Sequence, residues 1–404
     1  MYSDKQTLCF LQSIPGIGSK TIENLWSYFK TGEQIFHADE EELKKLLGER
    51  QRNAFLDARE KTDPKEVLRK LEQRGISYYT VFDWNYPLRL RKVSDAPLSL
   101  YVRGSLPPED SMTASVIGAR KHSYYGEKQT KLFAKILAQE QVGVVSGMAK
   151  GIDSIAQMTA LENGGTSYAV LGCGVDVCYP PECRSLYEKL SLQGGIISEY
   201  PPGTQPKAGL FPLRNRIISA LGDILLVMEA RMRSGTLITV DMALEQGKEI
   251  WALPGRCDDV LSYGCNRLIA QGAGILTGEK EFCEELDILK RKYERKAPEL
   301  RVLGKENAKR KKAASDISGN AFENQRTDGQ EIVKAHAATH SVELEQEVLH
   351  VLDYQPMSLN EIYKSICSRR KETEIELSRL SEALVELCVK GLAKQVNGSW
   401  YIRV

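Results

Sequence analysis

The sequence predicts an α/β fold, a mostly parallel sheet with crossover helices, preceded by a helical domain and followed by a small helix-and-hairpin domain. Three observations predict it. Between residues 80 and 285, short β-branched runs alternate with helical stretches, as in a parallel sheet with crossovers. Glycine follows many of these runs closely, as at Gly118, Gly147, Gly172 and Gly255. Glycine there lets the backbone turn tightly and approach a ligand at the carboxyl ends of strands, where open α/β sheets bind. Residues 341–404, finally, carry three periodic helical stretches and then two alternating runs around Asn397-Gly398, a strong hairpin signal.

Taken in order, residues 1–75 read as helical, with periodic apolar positions in Thr21–Phe29 and Glu41–Leu47. Within them Ile14-Pro15-Gly16-Ile17-Gly18-Ser19-Lys20 leads into a helix. Glycines at such a helix start expose backbone N–H groups to a phosphate, the signature of a helix-hairpin-helix or SAM-like domain. The motif has little basic support beyond Lys20, so a packing role stays open beside DNA contact. In the central region, 80–285, the strand candidates are Ser115–Ile117, Val142–Val145, Tyr168–Leu171, Gly195–Ser198, Ile224–Met228, Glu249–Leu253 and Gly274–Leu276. A Rossmann-like core is expected there.

Residues 286–340 change character. Lys290-Arg291-Lys292 and Lys309-Arg310-Lys311-Lys312 precede a polar stretch with few large apolar residues, which reads as a basic, disordered linker. A solvated tether and a DNA-binding arm are both open for it. In the last unit, helical periodicity covers Glu343–Leu352, Leu359–Ile366 and Glu374–Lys390. Three helices and a hairpin make a winged helix.

Composition narrows the function. With 404 residues, 42% hydrophobic and 27% charged, the chain can bury a large core without metal or disulfide support. No apolar stretch is long enough to span a bilayer and no signal-peptide region follows Met1, so a cytoplasmic protein is expected. The nine cysteines are scattered, and the even spacing of Cys173, Cys178 and Cys183 is no standard zinc pattern. No metal or cofactor is expected. A net charge of +1 announces nothing globally, yet a neutral total can hide a basic groove.

Four segments could hold an anion. Val116-Ile117-Gly118-Ala119-Arg120 ends one strand, and Ser146-Gly147-Met148-Ala149-Lys150-Gly151 ends the next and opens a helix. Gly118, Gly147 and Gly151 offer amides, Ser146 a hydroxyl, and Arg120 and Lys150 charge, at one edge of the sheet. In Phe211-Pro212-Leu213-Arg214-Asn215-Arg216, two arginines flank an asparagine behind an aromatic. Arginine pairs with phosphate and stacks on bases, and Phe211 offers a flat face. The alternative is that Arg214 and Arg216 pair with Glu199 and Glu229 while Phe211 packs in the core. Ser234-Gly235-Thr236 opens another helix after a strand, again suited to an anion. Gly172-Cys173-Gly174-Val175-Asp176 lacks the third glycine of a dinucleotide fingerprint.

Together these segments resemble the DNA-processing protein A family (DprA, also called Smf). The resemblance runs through Tyr86-Pro87, Tyr101-x-x-Gly104, Ile117-Gly118-x-Arg120 and Ser146-Gly147-x-Ala149-x-Gly151-Ile152-Asp153. It continues in Gly172-x-Gly174-x-Asp176-x-x-Tyr179-Pro180, Ser198-Glu199-Tyr200-Pro201, Phe211-Pro212-x-Arg214-Asn215-Arg216-Ile217-Ile218, Ser234-Gly235-Thr236-Leu237 and Pro254-Gly255. It implies a protein of natural transformation that binds single-stranded DNA, protects incoming strands, dimerises through its core and helps load the RecA recombinase. It places DNA contacts on Arg120, Lys150 and the Phe211–Arg216 segment, and implies no catalysis.

Two other readings fit less well. Nucleoside-monophosphate phosphoribohydrolases with a similar core carry Pro-Gly-Gly-x-Gly-Thr-x-x-Glu, whose glutamate is catalytic. Here that position is Thr239, which cannot supply a carboxylate. A regulator reading duplex DNA through the winged helix would need a basic third helix. This one offers Arg379 among Glu376, Glu382 and Glu386, a face that phosphate repels.

Overall fold

The computed structural model describes residues 2–93 and 95–293, and scattered positions between Val348 and Arg403. Two units separate, Met1–Asp316 and Ile317–Val404. In the first, six helices come before the sheet: α1 (Asp4–Ser13), α2 (Ser19–Phe29), α3 (Gly32–His37), α4 (Glu40–Leu46), α5 (Glu49–Lys61) and α6 (Pro64–Gln73). They close around Leu8, Phe10, Leu25, Ile35, Leu43 and Phe55, all fully buried. Side-chain oxygens at Ser3, Thr31, Asp39 and Asp63 accept from first-turn amides of α1, α3, α4 and α6. Gln12 ties α1 to the sheet by accepting from the hydroxyls of Tyr78 and Ser99, both at 2.7 Å.

The sheet and its crossovers follow as β1 (Ser77–Thr80), α7 (Leu88–Arg91), β2 (Ser99–Gly104), β3 (Thr113–Ile117), α8 (Tyr124–Gln139), β4 (Gly143–Ser146) and α9 (Ile152–Glu162). Then come β5 (Ser167–Val170), α10 (Arg184–Gln193), β6 (Gly194–Ser198), α11 (Leu210–Leu221), β7 (Ile224–Val227), α12 (Gly235–Glu245), β8 (Glu249–Ala252), α13 (Tyr263–Ala270) and β9 (Gly274–Ile275). The strand order is β1-β2-β6-β5-β4-β3-β7-β8-β9. β1, β2 and β6 pair antiparallel, and every other pairing is parallel. Every strand expected between residues 115 and 276 is present within a residue or two. β1 and β2 were not foreseen.

β3, β4, β5 and β7 are buried along their whole length, because helices cover both faces of the sheet. Side chains alternate between those faces. Ile117, Leu225 and Val227 meet Ile217 and Ile218 of α11 and Val240 of α12 on one side. Ala114, Val116 and Leu226 meet Phe133 and Leu137 of α8 and Ile152 and Ala156 of α9 on the other. A further helix over 279–293 joins that second layer through Phe282, Leu286 and Leu289. It therefore runs into the segment expected as linker, whose remainder, from 294, lies outside the described residues.

One topological feature positions the site. From β3 the chain winds through β4, β5 and β6 on one side, then returns to start β7 on the other. Crevices outside the carboxyl ends of strands at such a reversal are where open α/β sheets take ligands.

In the second unit, β10 (Met357–Ser358), β11 (Ala393–Asn397) and β12 (Trp400–Arg403) form an antiparallel sheet in the order β10-β12-β11. β11 and β12 pair antiparallel on either side of the hairpin expected at Asn397-Gly398, of which Gly398 lies outside the described residues. Val348, Ile362, Ile366, Leu380, Leu384 and Leu387 are buried together. Most of the three helical stretches expected there lies outside the described residues.

Candidate nucleic-acid interface

A cleft of about 880 Å³ opens at the reversal point, walled by Ile117–Lys121 after β3 and Glu229–Arg231 after β7. The start of α11 supplies Phe211, Arg214 and Asn215, and the start of α12 supplies Ser234, Gly235 and Thr236. Gly118 and Arg120 complete the set of expected residues that line it.

One wall is a stack. Tyr179 and Phe211 lie nearly parallel, 25° between planes and 5.6 Å between centroids. The exposed Arg120 holds its guanidinium carbon 5.9 Å from the Phe211 centroid. Gly172 seats the ring, since a Cβ there would lie 2.9 Å from Phe211 Cδ1. Tyr179, 42% exposed, is a site residue that single-segment reasoning missed, because 32 positions separate it from Phe211 and only the folded loop brings them together. Lys121 and Arg231 were missed too, although Lys121 directly follows the Val116–Arg120 segment and Arg231 comes three residues after the expected strand Ile224–Met228, which was the available signal.

The floor is Arg214, 4% exposed. Its Nη1 donates to the carbonyls of Gly147, at 2.9 Å, and Val170, and its Nε has no protein partner among the described residues. Burial pulls its pKa down to about 10, against the attraction of nearby Asp153. Burial raises Asp153 above the usual carboxylate range. Arg214 and the backbone amides of Ala149 and Gly147 oppose that shift. Glu229 is likewise raised by burial and accepts from the backbone N–H and hydroxyl of Ser123.

The third wall is the N-terminus of α12. Its cap, Ser234, makes no side-chain capping bond, and its buried hydroxyl has no partner among the described residues. First-turn amides and an uncommitted hydroxyl make a ready acceptor site for an anion. Thr236 donates its hydroxyl to Gly118 O at 3.4 Å, joining α12 to the β3 loop.

Five expected residues stand elsewhere. Ser146 is fully buried and donates to Val116 O at 2.6 Å, so its hydroxyl ties β4 to β3 rather than facing the cleft. Arg216 turns away, with Nη1 and Nη2 on the Glu199 carboxylate at 2.7 and 2.6 Å and Nε on Asp95 O, as the ion-pair alternative required. Gly147 lies beneath Arg214, and its N–H is taken by Asp153 at 3.2 Å. Gly151, with φ of +93°, packs under the carbonyls of Ala119 and Arg120, which a Cβ would approach to 2.4 and 2.6 Å. It supports the Arg120 loop from below. Lys150 is exposed one residue beyond Ala149, which lines the cleft.

The sequence profile of the DNA recombination-mediator protein A family matches residues 77–287. The DNA processing protein DprA of Streptococcus pneumoniae is 41% identical over 209 residues, 52% of this chain and 74% of that protein. Protein Smf of Escherichia coli K12 is 44% identical over 202 residues, 50% of this chain and 54% of that protein. The crystal structure of DNA processing protein A from Streptococcus pneumoniae superposes with a TM-score of 0.61 at 32% identity, covering 70% of this chain and 99% of that one. With about half the chain inside the profile, and the parallel core and its reversal-point cleft falling within those residues, the protein belongs to the DNA recombination-mediator protein A (DprA/Smf) family.

Proposed function

We infer that the protein binds single-stranded DNA in this cleft, protects the strand and helps load RecA recombinase during natural transformation and recombination. The observation that carries the reading is the Tyr179–Phe211–Arg120 stack beside the α12 N-terminus. An unpaired base has a free face for an aromatic platform, whereas bases in a duplex are already stacked on both sides. Amides, the Ser234 hydroxyl and the Arg120 and Lys121 charges suit the phosphates on either side of that base. No catalysed step is part of the reading. The carboxylates lining the cleft, Asp153 and Glu229, are each engaged by protein donors. The family's description as a recombination mediator supports the RecA role.

A homodimer through the core belongs to the same reading. Among the described residues β9 ends the sheet with an open edge, and Leu244 and Ile275 are 58% and 43% exposed beside it. Two clefts on one strand would add avidity to a pocket that grips only a few nucleotides. Anisotropy of a fluorescent oligo-dT at several salt concentrations tests the proposal. Wild type should bind tightly, weaken with salt and resist duplex competitor, and Arg120→Ala should lose most of the affinity. Equal binding by Arg120→Ala would move the site elsewhere.

A further inference from the structure

The outer face of α8 carries Tyr124, Lys128, Lys131 and Lys135, all exposed. Spacings of four, three and four residues set them in one stripe, opposite the buried Phe133, Ala134 and Leu137. Lys131 pairs with Glu127 at 2.6 Å, while Lys128 and Lys135 form no ion pair among the described residues. The shallow groove beside the stripe, about 530 Å³ between α8 and α9, includes a single carboxylate, Glu162. That carboxylate is itself paired with Lys189 at 3.3 Å. The stripe is therefore a cationic surface with little opposing charge of its own.

It is also continuous with the cleft. Ser123, the N-cap of α8, donates its backbone N–H at 3.1 Å to Glu229, a cleft-lining residue. The helix starts in contact with that wall, since a Cβ on Gly126 would come within 2.2 Å of the Glu229 carboxyl carbon. Tyr124, the next residue after the cap, is 83% exposed at this edge. From there to Lys135 the helix advances about 16 Å, enough for several nucleotides of extended strand.

Resting on the cleft reading above, we propose that single-stranded DNA leaves the cleft over Tyr124 and runs along the Lys128–Lys131–Lys135 stripe. Tyr124 supplies a second stacking surface, and the lysines meet successive phosphates. An acidic protein partner is the rival occupant, but the aromatic at the cleft end and the continuity with a nucleic-acid site favour the strand.

The test compares fluorescent oligo-dT of about four and about twenty nucleotides on the full chain, with Tyr124→Ala and Lys128→Gln/Lys135→Gln. The short oligonucleotide fills only the cleft, so both variants should bind it as wild type does. For the long one, each variant should lose about five- to tenfold in affinity, and the lysine variant should show a salt slope shallower by about 1.4. Unchanged binding of the long oligonucleotide overturns the path and leaves the cleft standing. So does an equal loss at both lengths, which would mean damage to the cleft itself. If wild type binds neither length, the cleft reading fails, and the path fails with it.

Discussion

The Arg214 guanidinium fills the space that a side chain at residue 147 would need: a Cβ on Gly147 would lie 2.7 Å from both Nη1 and Nη2. The arginine cannot swing clear, because it is buried and donates to the carbonyls of Gly147 and Val170. Gly147→Ala should therefore cost about 1–3 kcal/mol of stability and push the cleft floor outward. Urea unfolding gives the first quantity and oligo-dT binding the second. An alanine that leaves both unchanged would show that Arg214 repacks freely.

Arg214 and Asp153 are 4% and 9% exposed and each acts on the other's charge. Arg214→Met removes the cation and leaves a buried carboxylate uncompensated, with two carbonyls short of a donor. A loss on the order of 3 kcal/mol is expected. Adding Asp153→Asn should recover part of it, because the uncompensated charge is then gone. A double-mutant cycle by urea unfolding measures the coupling, and additive losses would mean that the two charges are independent.

Which parts of this were legible in the sequence follows from what a residue type encodes. The buried parallel strands were readable because apolar runs followed by glycine have few other uses in an α/β chain, as at Val116–Ile117 before Gly118 and Tyr168–Val170 before Gly172. β1 and β2 were not, since Ser77–Thr80 and Ser99–Gly104 mix polar and apolar residues at the sheet's antiparallel side. In the site, residue type indicated anion chemistry but not direction. Arg214 and Arg216 are two apart on one helix, so they point to different sides. Arg214 reaches the cleft floor, and Arg216 reaches Glu199. Ser146 matched the expected hydroxyl, but the strand's alternation turned it into the sheet.

Tyr179 separates stacking from charge. It is 42% exposed, so Tyr179→Ala should change the melting temperature little while weakening single-strand binding by about 1–3 kcal/mol per stacked base. The salt slope should stay as in wild type, because no cation is lost. Tyr179→Phe should bind normally. A slope that falls in Tyr179→Ala would mean that the ring acts by positioning Arg120.

Lys248 gives a pH-dependent test away from the cleft. It lines a cavity of about 280 Å³ with Arg89, Lys92 and Asp223, and donates to Ala220 O at 3.0 Å. Burial pulls its pKa down from 10.5 to about 8, Arg89 and Lys92 push the same way, and Asp223 opposes them. A cation whose folded pKa lies below its unfolded value makes the unfolded chain bind more protons between the two. The penalty is then full below about pH 8 and fades as the pH rises toward 10.5. Lys248→Met keeps the apolar stem and removes the charge, so it should melt higher than wild type near neutral pH, with the gap closing by about pH 10. A gap that stays constant with pH would assign the effect to packing. A wild type that melts higher near neutral pH would show that the bond to Ala220 O outweighs the cost of burying the charge.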